Sequence, residues 1–143
     1  MRLAVTTFAA FLIAAPIAEA ASNDIFMVRT TSKTPDTIVA AIKDYAQAMK
    51  WQYLSDNKVK KGEVTLVKIC IPEVGRIIWP LGLRLSAMLP CGNIGIYTTD
   101  SGTEISVLHP RYLNILYPDP EVERAGEVGT PLLMEMLDSV AGD

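Results

Sequence analysis

The sequence predicts an α+β domain: a mostly antiparallel sheet with helices packed on one face. Three observations carry this. Alternating apolar runs come in pairs joined by short polar turns, which favours antiparallel pairing. Segments with helical spacing separate those pairs. The resulting order is strand, helix, two strands, helix, two strands, helix, which is not the strict alternation of a doubly wound parallel sheet.

The elements follow in chain order. The alternation in DIFMVRTT predicts a first strand over Ile25–Thr30. KTPDTIVAAIKDYAQAMK predicts a helix, with Thr34 as N-cap and Pro35 in the first helical position, where its missing N–H costs nothing. Ile38, Val39, Ile42, Ala46 and Met49 recur at helical spacing and give it one apolar face. Trp51–Leu54 reads as a short strand, and NKVKKGE as a polar turn. EVTLVKICIP is β-branched and apolar on both faces. Val64, Leu66, Lys68 and Cys70 share one face; Thr65, Val67, Ile69 and Ile71 share the other, so the strand belongs inside a sheet. Pro72 ends it. From Glu73 to about Leu85 a helix is expected, kinked or in two pieces because Gly75, Pro80 and Gly82 interrupt it.

GNIGIYTTDSGTEISVLHP predicts a hairpin, with strands Ile94–Thr98 and Thr103–Leu108 around Asp100-Ser101-Gly102. The C-terminal stretch is helical in content. Asp119 is a capping residue, Pro120 a helix starter, and Glu121 and Glu123 suit the positive end of the helix dipole. Thr130-Pro131 repeats the cap-and-start pattern, so one kinked helix and two short ones are both compatible with it. Leu133, Met136, Leu137 and Val140 form an apolar stripe.

The ends and totals bound the rest. Arg2, the apolar run LAVTTFAAFLIAAPI and the small-x-small triplet Ala18-Glu19-Ala20 predict a signal peptide over residues 1–20, cut between Ala20 and Ala21. The apolar run is shorter than the ~20 residues a bilayer span needs, which favours a signal over an anchor; IIWPLGLRLSAML, the nearest later run, is interrupted by Pro80 and Arg84, so no membrane span is expected after signal removal. The expected location is the periplasm or the outside of the cell, where a disulfide can persist. Residues 21–143 make one domain. A net charge of -3 and a pI of about 5.1 point away from nucleic acid, which selects a basic footprint.

Three stretches resemble a known family. VKICIPE is a strand ending in cysteine and followed by proline. AMLPCGNIGIY sets Leu-Pro-Cys before a strand. TEISVLHP is a second hairpin strand ending in proline ahead of a C-terminal helix. Together with the element order, these resemble the domain of unknown function 302 family over nearly all of Ile25–Val140. The resemblance implies a small α+β fold, often dimeric, and no established reaction or cofactor. The family commonly has arginine after the Leu-Pro-Cys cysteine; this chain has Gly92 there, so no anion-binding role is carried over. The family also includes cytoplasmic members with cysteines in similar places, which implies that these positions do not serve a disulfide alone.

Candidate chemistry centres first on Cys70 and Cys91, the two cysteines. A disulfide requires Cα atoms about 4.4–6.8 Å apart. Two adjacent parallel strands would hold the sulfurs at opposite ends, roughly 20 Å apart for six residues. Antiparallel strands would bring them to one end. Bonded or paired thiols, separate burial and metal ligation all remain open. Met88, His109, Cys70 and Cys91 are soft or borderline ligands suited to copper, but no Cys-x-x-Cys or His-x-x-x-His spacing supports them. Cys91 with His109 is a nucleophile–base dyad the hairpin could bring together, and no Gly-x-Ser-x-Gly elbow is present. Glu121, Glu123 and Glu127 read as a solvated helix face. The other candidate is apolar. RIIWPLGLRL holds more apolar residues than one helix face can hide, which predicts a buried helix, a homodimer interface or an apolar ligand groove. Trp79 and Leu83, four apart, would share a helical face, with Tyr112 and Tyr117 lining the same groove. The residues therefore favour a non-catalytic binding or interaction domain, with a thiol-dependent redox or metal-binding protein as the alternative.

Overall fold

Thr34 and Asp119 start the two long helices as their capping chemistry dictates. The Thr34 side chain accepts a hydrogen bond from the Thr37 N–H, and Asp119 accepts from Glu121, each with proline next in the chain. The computed structural model describes residues 25–87 and 94–142. The predicted signal peptide and its cut, together with Met88 and Cys91, lie outside the described residues.

The strands are β1 (Phe26–Thr31), β2 (Gln52–Val59), β3 (Val64–Cys70), β4 (Ile94–Thr99) and β5 (Gly102–Leu108). The helices are α1 (Pro35–Ala48), α2 (Pro72–Ile78), α3 (Tyr112–Leu116) and α4 (Pro120–Ala141). The strands form one sheet in the order β1-β5-β4-β3-β2, and each neighbouring pair is antiparallel. β1 and β2 are therefore the two edges, and α1 crosses beneath the sheet to join them. The expected α+β class, with helices on one face, is the one observed. β3 is paired on both sides, in keeping with its two apolar faces.

Alternation decides which side chains meet the helices. Met27, Val67, Ile69, Ile94, Ile96, Ile105 and Val107 point inward and pack against Ile38, Ile42 and Ala46 of α1 and Leu133, Met136, Leu137 and Val140 of α4. A second, smaller core lies off one end of the sheet: Ile77, Ile78, Leu85, Leu113, Val122 and Ala125. It joins α2, the segment after it, α3 and the first half of α4. Among the described residues no helix is long and apolar enough to cross a membrane.

Two expectations need correction, the extent of β2 and the missing α3, and two alternatives are decided. The strand read as Trp51–Leu54 begins at Gln52 and runs on to Val59, and the polar turn shrinks to Lys60–Gly62. Asp56, Asn57 and Lys58 pair with β3, so backbone bonding overrides their weak strand propensity. They are exposed on a sheet edge, where charged residues also discourage further pairing. The C-terminal stretch is one helix of 22 residues, not two. Pro131 cannot donate to the carbonyl one turn back, but its two flanking halves are docked on different cores, and the Thr130 hydroxyl donates to the Gly126 carbonyl at 2.7 Å. A short helix, α3, occupies a stretch for which no element was expected. Finally, the interrupted helix after Pro72 ends at Ile78 and continues as 3-10 turns at Trp79–Leu81 and Leu83–Ala87.

In the β4–β5 hairpin, Asp100 and Ser101 form the turn and Gly102 follows with φ 126°. A Cβ at Gly102 would stand 2.6 Å from the Thr31 carbonyl oxygen. Glycine is thus required twice over, by conformation and by the close passage of β1.

Candidate functional site: an apolar groove beside the second core

The chain after α2 cannot continue as an α-helix, because Pro80 and Gly82 follow within one turn. Gly82 takes φ 129°, and its N–H bonds to the Trp79 carbonyl at 3.2 Å. That reversal changes which residues share a face. Leu85 turns into the second core, whereas Leu83 is left 78% exposed. The helical i, i+4 relation expected between Trp79 and Leu83 does not hold across Gly82. Trp79 instead folds back over Gly75: a Cβ there would lie 3.1 Å from the Trp79 indole nitrogen.

Leu81, Leu83 and Leu85, with Gly82 and Arg84, line a concavity of about 590 Å³, closed on the other side by Tyr117. Tyr117 is held by the end of α3, where its N–H bonds to the Leu113 carbonyl at 2.9 Å. Two of the four groove residues expected from the sequence, Leu83 and Tyr117, thus meet. Trp79 and Tyr112 are not among the lining residues; Tyr112 carries the Arg111 guanidinium over its ring at 5.3 Å. Ile115 and Leu116 of α3 are also exposed. Sequence reading missed them because α3 itself was missed. The apolar pair in LNIL was the available signal.

The remaining candidates do not gather in this groove. Cys70 is the last residue of β3, half-buried, opposite Gln52 on the outward face of the sheet. Because β3 is antiparallel to β4, the end where Cys70 leaves the sheet is the end where β4 begins. His109 follows β5 and lines a separate cleft of about 430 Å³ with Arg111, Asn114, Glu123 and Glu127. Its Nδ1 accepts the Arg111 N–H at 3.2 Å. Burial, then the nearby Arg111 charge, pushes its pKa below the ordinary value. The Arg111 N–H bond to Nδ1 favours the tautomer that carries its proton on Nε2. Among the described residues, no three His, Cys, Asp or Glu side chains converge as metal ligands do. Glu121 is paired with Arg124 on the surface of α4, and Glu123 and Glu127 are exposed.

The class is now defined: a two-layer α+β domain with an open antiparallel sheet and an apolar groove beside a second core. Neither a family model nor a curated protein matches the sequence. A solved structure shares the fold, that of an uncharacterized conserved protein, DUF302, from Bacillus stearothermophilus. The TM-score is 0.72 at 15% identity, covering 82% of this chain and 98% of that one. In fold the chain thus resembles the domain of unknown function 302 family.

Proposed function

We propose that this chain is a non-catalytic binding domain that holds a small apolar ligand in the groove between Leu83 and Tyr117. The observation that carries the reading is the exposure of Leu83 inside a concavity of about 590 Å³. That volume lies within the ~300–1,000 Å³ of small-molecule sites, which are mainly apolar with few polar groups. Here three leucines and a tyrosine form the walls, and Arg84 is the charged residue among them. Leaving Leu83 in water forgoes about 1.5–3 kcal/mol of burial, which a ligand would recover. The amino-terminal pattern supports a site of action outside the cytoplasm.

The test is titration with 1-anilinonaphthalene-8-sulfonate, an apolar fluorophore. Saturable enhancement is expected, weakened about tenfold or more by Leu83→Asp and unchanged by Phe26→Ser on the far side of the sheet. Absence of saturable binding, or equal binding by Leu83→Asp, would end the proposal.

One observation favours a second reading, a thiol-dependent protein using Cys70 and Cys91. The antiparallel course of β3 and β4 is the topology in which two such cysteines share a sheet end.

A further inference from the structure

The cleft at the end of β5 is a second concavity. Its volume of about 430 Å³ lies within the ~300–1,000 Å³ of small-molecule sites. Two walls from different parts of the chain enclose it. The corner between β5 and α3 supplies His109, Arg111 and Asn114, and α4 supplies Glu123, Glu127 and Thr130. Gly126 lets the walls approach. A Cβ there would stand 3.3 Å from the Pro110 carbonyl oxygen and 3.5 Å from the Arg111 Cα, so a side chain would crowd the corner. Spacings of three and four residues put Glu123, Glu127 and Thr130 on that same face of α4.

Hydrogen bonds within the chain sort the two walls by kind. Neutral histidine and asparagine can each donate or accept, but here both are committed. The His109 Nδ1 accepts the Arg111 N–H at 3.2 Å, which leaves Nε2 to carry the proton. The Asn114 Oδ1 accepts the Asp119 N–H at 3.0 Å, which leaves the amide NH2 to donate. A guanidinium has donors only, so Arg111 is of the same kind. The corner is therefore a wall of donors.

The α4 wall is the reverse. Glu123 and Glu127 carry carboxylates one turn apart, and Arg124 pairs with Glu121 rather than with either of them. The Thr130 hydroxyl gives its hydrogen to the Gly126 carbonyl at 2.7 Å, so its oxygen is left to accept. Pro131 has no N–H for the Glu127 carbonyl one turn back, and both residues line the cleft. This side is therefore a wall of acceptors.

We infer that the cleft binds a free α-amino acid as its zwitterion, the ammonium on Glu123 and Glu127 and the carboxylate on His109, Asn114 and Arg111. Charge selects this class over simpler ions. A plain anion would meet two carboxylates, and a plain cation would meet a guanidinium. A molecule with both charges on one carbon meets each wall where it is complementary. Its ammonium brings three donors to the acceptors, its carboxylate brings oxygens to the donors, and both sets of bonds are charge-assisted. The Pro131 ring offers apolar surface to the amino acid's side chain. This inference does not depend on the Leu83 groove.

The probe is L-alanine, titrated to about 10 mM against the isotope-labelled protein and followed by nuclear magnetic resonance. Saturable shifts are expected in the Asn114 side-chain amide and in the backbone amides of Arg111 and Glu127. Propionate lacks the ammonium and ethylamine the carboxylate, so each should bind about tenfold more weakly or worse, having lost the charge-assisted bonds of one wall. Glu127→Gln should weaken alanine binding by about tenfold or more for the same reason. Asn114→Asp keeps an oxygen for the Asp119 N–H but replaces the donors with an acceptor, and should weaken it likewise. Circular dichroism confirms folding, and Glu123→Gln, at an exposed position, serves should either variant unfold. No saturable shift with L-alanine, equal binding of propionate or ethylamine, or folded variants that bind as the unaltered protein does would overturn the proposal.

Discussion

Tyr97 and Glu104 stand directly opposite each other on β4 and β5, and the phenol donates its hydrogen to the carboxylate. That bond, then burial and the nearby charge, raises the Tyr97 pKa above 10.0. Tyr53 is raised further, to about 12, by burial and then by its bond to Asp56 at 2.8 Å.

The sign of the resulting pH dependence follows. Both phenols hold their proton more tightly in the folded chain than in the unfolded one. Their contribution is fully present below pH 10 and is lost as pH rises through the folded values, toward about 12 for Tyr53. Tyrosinate absorbance in the native state should show a late component that Tyr53→Phe removes. An unchanged titration in that variant would refute the assignment.

Gly102→Ala should destabilise by about 2 kcal/mol or more. The new Cβ meets both an unfavourable φ and the Thr31 carbonyl. A denaturant midpoint unmoved by the substitution would show that the hairpin can shift away from β1 at no cost.

Burial separates two apolar residues that look alike in sequence. Met136, fully buried between α4 and the sheet, should lose about 2–5 kcal/mol on truncation to alanine. Leu83→Ala should change stability by less than about 0.5 kcal/mol, since it faces solvent. Equilibrium unfolding in urea compares them directly. Equal losses would mean that Leu83 is buried in solution.

Thiol counting addresses the two cysteines. If Cys70 and Cys91 pair across the sheet end, the protein isolated without reductant shows no reactive thiols, and reduction yields two. The bond would close a loop of about 20 residues and contribute roughly 3 kcal/mol. Two reactive thiols in the protein as isolated would exclude it.

Local chemistry made much of the fold legible. Thr34-Pro35 and Asp119-Pro120 name helix starts because capping involves only neighbours in the chain. The alternation in VTLVKIC sorted its residues onto two faces correctly, since a strand has only two; which face turns inward was decided by the helices. The length of β2 was not legible, because Asn57 and Lys58 are strand residues only while β3 is beside them. Nor was the unity of α4, since what carries it past Pro131 is docking on two separate cores.

The same division holds for the groove. That the stretch around Trp79 and Leu83 holds more apolar residues than one face can bury is a property of composition, readable without coordinates. Which residue is left out is not. Gly82 permits a reversal, and the second core then takes Leu85 and excludes Leu83. By itself, the sequence determined the α+β order, the helix starts, the hairpin and the apolar surplus, all set by interactions a few residues long. Tertiary structure alone decided the strand order, the face of the sheet that the helices cover, and the placing of Leu83 and Tyr117 around one concavity. Each of these depends on segments far apart in the chain competing for one buried surface.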